Sequence, residues 1–237
     1  MLVTAETYME AMMNPTHNGP DRDMALAQYR RRAKVYDWEL AAFEPIRRQA
    51  IARLCLVQGA TVMDVGCGTG LSFEPLQQAI GSRGHIIGIE QCPEMLDQAR
   101  ARVAQQHWRN VTLLNTPVEA SKIKTRAEAV LFHFTHDVLR NPEAIHHVVR
   151  GLKPGAHVVA AGLQWANPWA WHTNWSVWLA AIHSVTSLEG LDQPWSLLVK
   201  HLSELQVSTT LMGGVYIASG IFVNAAQPSG VPTKSVD

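Results

Sequence analysis

Residues 64–70 read DVGCGTG. An apolar stretch holding Ala60, Val62, Met63 and Val65 leads into them, and residues 71–80 follow with apolar side chains at helical spacing. The pattern predicts a buried strand, a glycine turn and a helix. Glycine suits such a turn because the backbone must take positive φ angles and approach a ligand that a Cβ would push away. Gly66, Gly68 and Gly70 supply that freedom. Dinucleotide-binding proteins use a similar loop, so the surrounding sequence decides what the motif serves.

About twenty residues further on, His85-Ile86-Ile87-Gly88-Ile89-Glu90 reads as a second buried strand ending in a carboxylate. Folds of this kind hold ribose hydroxyls there, which makes Glu90 a ribose-ligand candidate. The alternation continues with a helix over 93–107, strands over 111–115 and 128–135, a helix over 141–151 and a strand over 155–163. Alternating strands and helices predict a parallel sheet with right-handed crossovers. Pro93 and Pro142 suit first helical turns, and Met95, Leu96, Ala99 and Val103 form a sheet-facing stripe. Residues 205–223 alternate as two closing strands joined at Gly213-Gly214.

Composition narrows the function. A chain of 237 residues with 47% hydrophobic and 17% charged content can bury one sizeable core. Twenty basic residues balance twenty acidic ones, and Arg30-Arg31-Arg32 is the longest basic run, so a nucleic-acid footprint is missing and a small-molecule substrate is favoured. Apolar stretches stay short of the roughly 20 residues that span a bilayer, and the N-terminus lacks a basic start followed by an apolar core, so the expected partner set excludes membrane and the expected location is cytoplasmic. Cys55, Cys67 and Cys92 are too few and wrongly spaced for a zinc site, and no metal is expected.

Three domains of organisation are expected: an N-terminal helical segment over 1–56, a main domain over 57–224 and a tail over 225–237 with little to bury. The first segment reads as a lid over a ligand mouth or as a packing helix. Within the main domain, 165–203 reads as an insertion carrying Trp165, Trp169, Trp171, Trp175, Trp178 and Trp195, six of the eight tryptophans. The cluster can cover an acceptor pocket, attract a cation, or pack as a helix pair.

Together, DVGCGTG, Glu90 and the Lys153-Pro154-Gly155 turn resemble the class I S-adenosylmethionine-dependent methyltransferases over about residues 55–163. The NAD-binding families differ in using GxGxxG. The resemblance implies an α/β fold: a Rossmann-like, doubly wound, seven-stranded sheet, mostly parallel with an antiparallel edge hairpin, under an N-terminal helical lid. It also implies S-adenosyl-L-methionine, as methyl donor or as the substrate itself. Asp64 then orients the glycine loop or reaches the cofactor's amino-acid end, and Thr69 caps the helix or bonds the ligand. Gln91 and Met95 flank the adenine, although packing is an equal reading for Met95. Where the family often has an acidic residue for the adenine amino group, this chain reads Asn115-Thr116-Pro117-Val118-Glu119, and Val118 backbone groups or Glu119 take that place. The Tyr36-Asp37 pair resembles the pre-sheet segment of ubiquinone/menaquinone-type methyltransferases, which makes Tyr36 a lid contact.

The fourth strand ends His133-Phe134-Thr135-His136-Asp137, where the reactive carbon of the sulfonium would sit. Thr135, His136 and Asp137 are the catalytic candidates, with His136 as a base or as a backbone-bonded side chain and Asp137 as a helix cap. Phe134, Trp165, Trp169, Trp171 and Trp175 are the substrate-pocket candidates. Three functions follow: methyl transfer to a small molecule of specialised metabolism, by a monomer or homodimer; ring closure to azetidine-2-carboxylate with release of methylthioadenosine, as in methyltransferase-like azetidine-2-carboxylate synthases; and cofactor binding without turnover.

Overall fold

The computed structural model describes residues 37, 40–181 and 187–223. The expectations for Tyr36, for the helical reading of most of 1–39 and for the tail from 224 onward lie outside these residues. A 3-10 turn, Ala41–Phe43, leads into α1, Glu44–Ala52. There follow β1 (Thr61–Val65), α2 (Phe73–Ile80), β2 (His85–Glu90), α3 (Pro93–Gln105) and β3 (Val111–Asn115). The second half holds β4 (Ala127–His133), α4 (His136–Leu139), α5 (Pro142–Arg150), β5 (Leu152–Leu163), α6 (Trp171–Ala181), α7 (Ser196–Val199), β6 (Leu202–Thr210) and β7 (Val215–Phe222).

The strands form one sheet of seven in the order β3-β2-β1-β4-β5-β7-β6. β1 pairs in parallel with β2 and β4, β2 with β3, and β4 with β5, whereas β7 runs antiparallel to both β5 and β6. Strands covered on both faces need apolar side chains at nearly every position, and β1, β2 and β4 have them. Alternation divides the core. Met63, Val65, Ile87, Phe132 and Val158 pack on one face with Ile145 and Val148 of α5. Val62, Ile86, Leu131 and Val159 pack on the other with Ile46, Ala50 and Leu54 of the α1 region, Leu76 of α2 and Leu96 of α3. Pro142 opens α5, and the Asn141 side chain accepts from Glu143 N and Ala144 N at 3.0 and 3.2 Å, filling the helix's free donors.

Element ends differ from expectation where the backbone leaves the regular regions. α2 begins at Phe73 rather than at 71, and Gly70 before it holds φ +79°. β5 begins at Leu152: Lys153, Pro154 and Gly155 lie within it, across a register shift in its pairing with β4. β6 begins at Leu202, with a shift between Ser203 and Gln206 around Glu204 at φ +55°. The closing hairpin turns through Leu211–Gly213 and Gly214 rather than through a two-residue link.

The chain runs from β1 outward to β3 on one side and resumes at β4 on the other. That reversal leaves a crevice beyond the carboxyl ends of β1 and β4, the place where such sheets take ligands. Among the described residues no helix is long and apolar enough to cross a membrane, and no group of three or more His, Cys, Asp or Glu side chains could hold a metal ion.

Candidate active site

β1 ends at the glycine loop, and the loop is anchored by backbone bonds to the neighbouring strand: Gly66 N and Cys67 N donate to the Ile89 carbonyl at 2.8 and 3.1 Å. Gly66 holds φ +68°, and the space a Cβ would need there is filled by the Thr135 side chain. The loops after β1 and β4 therefore touch across the crevice, and only glycine permits the approach.

Glu90 ends β2 with its carboxylate turned towards the loop, accepting from Gly68 N at 3.1 Å and Cys92 N at 2.7 Å. Burial raises its pKa, opposed by those amides. Asp64 is buried on β1, and burial pushes its pKa up to about 7, against the pull of the Arg47 charge and a Ser72 hydrogen bond. Its Oδ2 has no partner among the described residues.

Arg47 is the residue that the sequence reading passed over. It lies buried on α1, ion-paired to Glu44, and its Nε has no partner among the described residues. Asp64, Arg47 and His133 line one small cavity with Leu40, Gly66, Cys67, Gly68, Thr69, Leu71 and Ser72. Burial and the Arg47 charge push the His133 pKa down to about 3, so this imidazole is neutral and its Nε2 is also without a partner. The cavity measures about 20 Å³, room for one water.

Thr69 neither caps α2 nor stands free. Its hydroxyl donates to Asp37 Oδ1 at 2.5 Å, while Arg102 of α3 donates to Asp37 Oδ2 at 2.6 Å and to the Thr69 carbonyl at 3.1 Å. Asp37 thus clasps the pre-sheet segment to the glycine loop. Gln91 lies at the end of β2, its carbonyl accepting from Asn115 Nδ2 at 3.2 Å. Met95 is buried in the first turn of α3. Val118 opens a 3-10 turn, its side chain in the core and its carbonyl accepting from Ser121 N and Oγ at 3.1 and 2.7 Å.

The catalytic candidates follow β4. Phe134 takes φ +57°, a left-handed conformation costly for an aromatic residue, and sets its ring between Phe43 and His133, with ring centroids 4.8 Å from each. Thr135 Oγ1 is buried without a partner among the described residues. His136 Nε2 meets the Glu189 carbonyl at 3.0 Å, and a carbonyl only accepts, so Nε2 carries the proton and Nδ1 presents a lone pair. Burial holds its pKa down to about 4. Asp137 lies beside it in the first turn of α4.

The expected aromatic pocket is not where the sequence placed it. Trp169, Trp171 and Trp175 are 77%, 66% and 63% exposed, while Thr173, Val177 and Ala181 face inward. Helical phase explains the difference: 171 and 175 fall on the face opposite 173 and 177. Trp165 packs beside Ala181 and Leu191. A cavity of about 360 Å³ lies instead under the inner face of α6, lined by Phe43, Leu163, Thr173, Val177, Met212 and Val215 among others.

Residues 62–155 match the family model described as a methyltransferase domain. The chain is 28% identical over 108 residues to the aklanonic acid methyltransferase DauC of Streptomyces sp. strain C5, a match covering 46% of this chain and 49% of that protein. It is 26% identical over 191 residues to the trans-aconitate 2-methyltransferase of Azoarcus sp. strain BH72, covering 78% and 73%. The match thus spans about half the length of such curated relatives as DauC. Among solved structures, the N-methyltransferase NodS of Bradyrhizobium japonicum WM9 in complex with S-adenosyl-L-homocysteine superposes with a TM-score of 0.56 at 18% identity, covering 78% of this chain and 91% of that one. The family match runs from β1 into the start of β5 and takes in the glycine loop and Glu90, so residues 62–155 form a methyltransferase-type domain.

Proposed function

We propose that the crevice binds S-adenosylmethionine and that the protein transfers its methyl group to a small-molecule acceptor. One observation carries the reading. A buried carboxylate oxygen of Asp64 and a buried guanidinium N–H of Arg47, both without partners among the described residues, line the same glycine-walled cavity. An orphaned acceptor beside an orphaned donor matches the ammonium and carboxylate of an α-amino acid, and leaving either unsatisfied is costly. Glu90, beyond its two amide bonds, retains lone pairs for ribose hydroxyls.

When bound, S-adenosylmethionine supplies a methyl carbon activated by positive sulfur. The residues of this chain then align the acceptor, whose proton leaves to solvent. His136 is a neutral imidazole at neutral pH whose Nδ1 has no partner among the described residues and is left to accept a hydrogen bond, and with its pKa held down to about 4 it is a poor carrier for a full proton. Its role is to orient the acceptor's hydroxyl or N–H while solvent takes the proton. Relatives whose names specify small acceptors, aklanonic acid and trans-aconitate, support a small-molecule substrate.

The ring-closing alternative rested on an aromatic cage around the cofactor. Outward-facing Trp169, Trp171 and Trp175 remove that support. Mass spectrometry of purified protein incubated with S-adenosylmethionine, first alone and then with a panel of small nucleophiles, tests the reading. Acceptor-dependent S-adenosylhomocysteine is expected. Methylthioadenosine formed without any acceptor would replace methyl transfer with cyclisation, and binding without turnover across the panel would point to a cofactor-binding protein.

A further inference from the structure

The larger cavity lies between the inner face of α6 and the β6–β7 turn, and its volume of about 360 Å³ is that of a small-ligand site. Phe43, Leu163, Val177, Met212 and Val215 make its walls, and among the described residues no Asp, Glu, Lys or Arg lines it. His172, the single titratable lining residue among the described ones, is stacked on the Trp171 ring with centroids 3.6 Å apart. The Ser176 hydroxyl donates to the His172 carbonyl at 3.0 Å. Thr173 differs. Only 7% exposed, it is a lining residue whose hydroxyl is buried and has no partner among the described residues. Over the rim, Leu211 and Met212 hold φ +50° and +54°, conformations costly for non-glycine residues, and both side chains stand exposed there. The cavity also belongs to the catalytic end of the sheet: Leu163 ends β5, and Phe43 touches Phe134, the residue after β4.

We propose that this cavity takes an uncharged, mainly apolar molecule of roughly 15–20 non-hydrogen atoms, at the packing density of protein interiors, oriented by one hydrogen bond to the Thr173 hydroxyl. Apolar walls without a counter-charge penalise any ion that must shed its hydration to enter, and a lone buried hydroxyl rewards one polar group on the ligand. Met212 at the rim suits ligands of varied outline because its side chain is flexible and polarisable. As the acceptor site, the cavity rests on the methyl-transfer reading; as a binding site it does not.

The test uses the full chain and three probes of similar outline followed by fluorescence: N-phenyl-1-naphthylamine, which is neutral with one N–H; 1-benzylnaphthalene, which has no hydrogen-bonding group; and 8-anilino-1-naphthalenesulfonate, which is anionic. Saturable one-to-one binding of the amine is expected, with the sulfonate at least about tenfold weaker. Thr173→Val weakens the amine about fivefold and leaves the hydrocarbon within about twofold. Ser176→Trp, at the exposed side of the cavity, abolishes both while the thermal midpoint holds. Equal binding of the sulfonate, equal effects of Thr173→Val on both neutral probes, or survival of binding in Ser176→Trp would each overturn the proposal. Titrating S-adenosylmethionine on the same protein separates the two claims. Probe binding without cofactor binding supports the cavity and overturns methyl transfer, and cofactor binding without probe binding does the reverse.

Discussion

Glu90 shows how one side chain can set a loop and still face the crevice. Its carboxylate accepts from Gly68 N and Cys92 N, so it sets the glycine loop as well as facing the crevice. Removing it strands two backbone donors. Glu90→Ala is expected to lower the stability of the ligand-free protein by about 1–3 kcal/mol, read by urea unfolding, and to weaken S-adenosylmethionine about tenfold or more, read by calorimetry. Lost stability with unchanged affinity would confine Glu90 to the loop. Its position at the crevice was legible because a carboxylate ending the second strand is a topological position; the bond to Gly68 was not, because strand registry alone does not say which way the carboxylate turns. Arg47 carried a readable signal that went unused. It stands three, four and seven positions before Ala50, Ile51 and Leu54, an arginine on the apolar face of a helix, where burial of a cation demands a partner.

At the scale of elements, α1 carries Arg47 into the crevice and α6 closes the second cavity, and each placement can be broken separately. Arg47→Met keeps the length and apolar stem of the side chain but removes the donor opposite Asp64. It should weaken S-adenosylmethionine at least about tenfold while leaving methylthioadenosine, which lacks the amino-acid portion, within about twofold, both by calorimetry. Equal losses for the two ligands would mean that Arg47 acts on the whole crevice rather than on the amino-acid end. Gly214 marks where α6 meets the hairpin: a Cβ there would stand 2.8 Å from Thr173 Cγ2 and 2.9 Å from Val177 Cγ2. Gly214→Ala therefore pushes α6 outward and should cost about 1–3 kcal/mol in thermal unfolding, with the far-ultraviolet spectrum of the sheet retained. A neutral substitution would show that α6 rests loosely on the hairpin. The parallel strands and their helices were legible to within a few residues because burial on both faces imposes continuous apolar runs. The face of α6 was not: tryptophans draw the eye as core, yet here the inward positions are Thr173, Val177 and Ala181. Nor was the cavity, whose walls come from Phe43, Leu163, Thr173 and Met212, far apart in sequence and joined only by the fold.

Across the whole molecule, buried titratable groups give stability and ligand binding linked pH dependences. Asp64 ordinarily titrates at 3.8 and is raised to about 7, chiefly by burial, so between these values the folded state holds a proton that the unfolded state has lost. Its contribution is fully present below pH 4 and disappears as pH rises to 7. His133 and His136 run the other way: ordinarily at 6.5, they are held down to about 3 and about 4, so their contribution is present above 6.5 and is lost as pH falls towards 3. On the acid side Asp64 and Glu90, both raised by burial, oppose the two histidines, and Asp64→Asn removes one of the groups that resist acid. The variant should be more stable than the parent at pH 8, where the parent buries a charge, and should lose stability more steeply between pH 6.5 and 4, measured by urea midpoints. Identical pH profiles would take Asp64 out of the balance. The same carboxyl gives the crevice a proton-linked affinity. An ammonium placed against Asp64 requires the ionised form, so below pH 7 cofactor binding must expel a proton, and affinity should fall by up to about tenfold per pH unit. Calorimetry at pH 6 in two buffers of different ionisation enthalpy should register release of most of one proton, fading at pH 8. Binding with no proton release at pH 6 would place the ammonium away from Asp64 and leave Arg47 alone to recognise the amino-acid end.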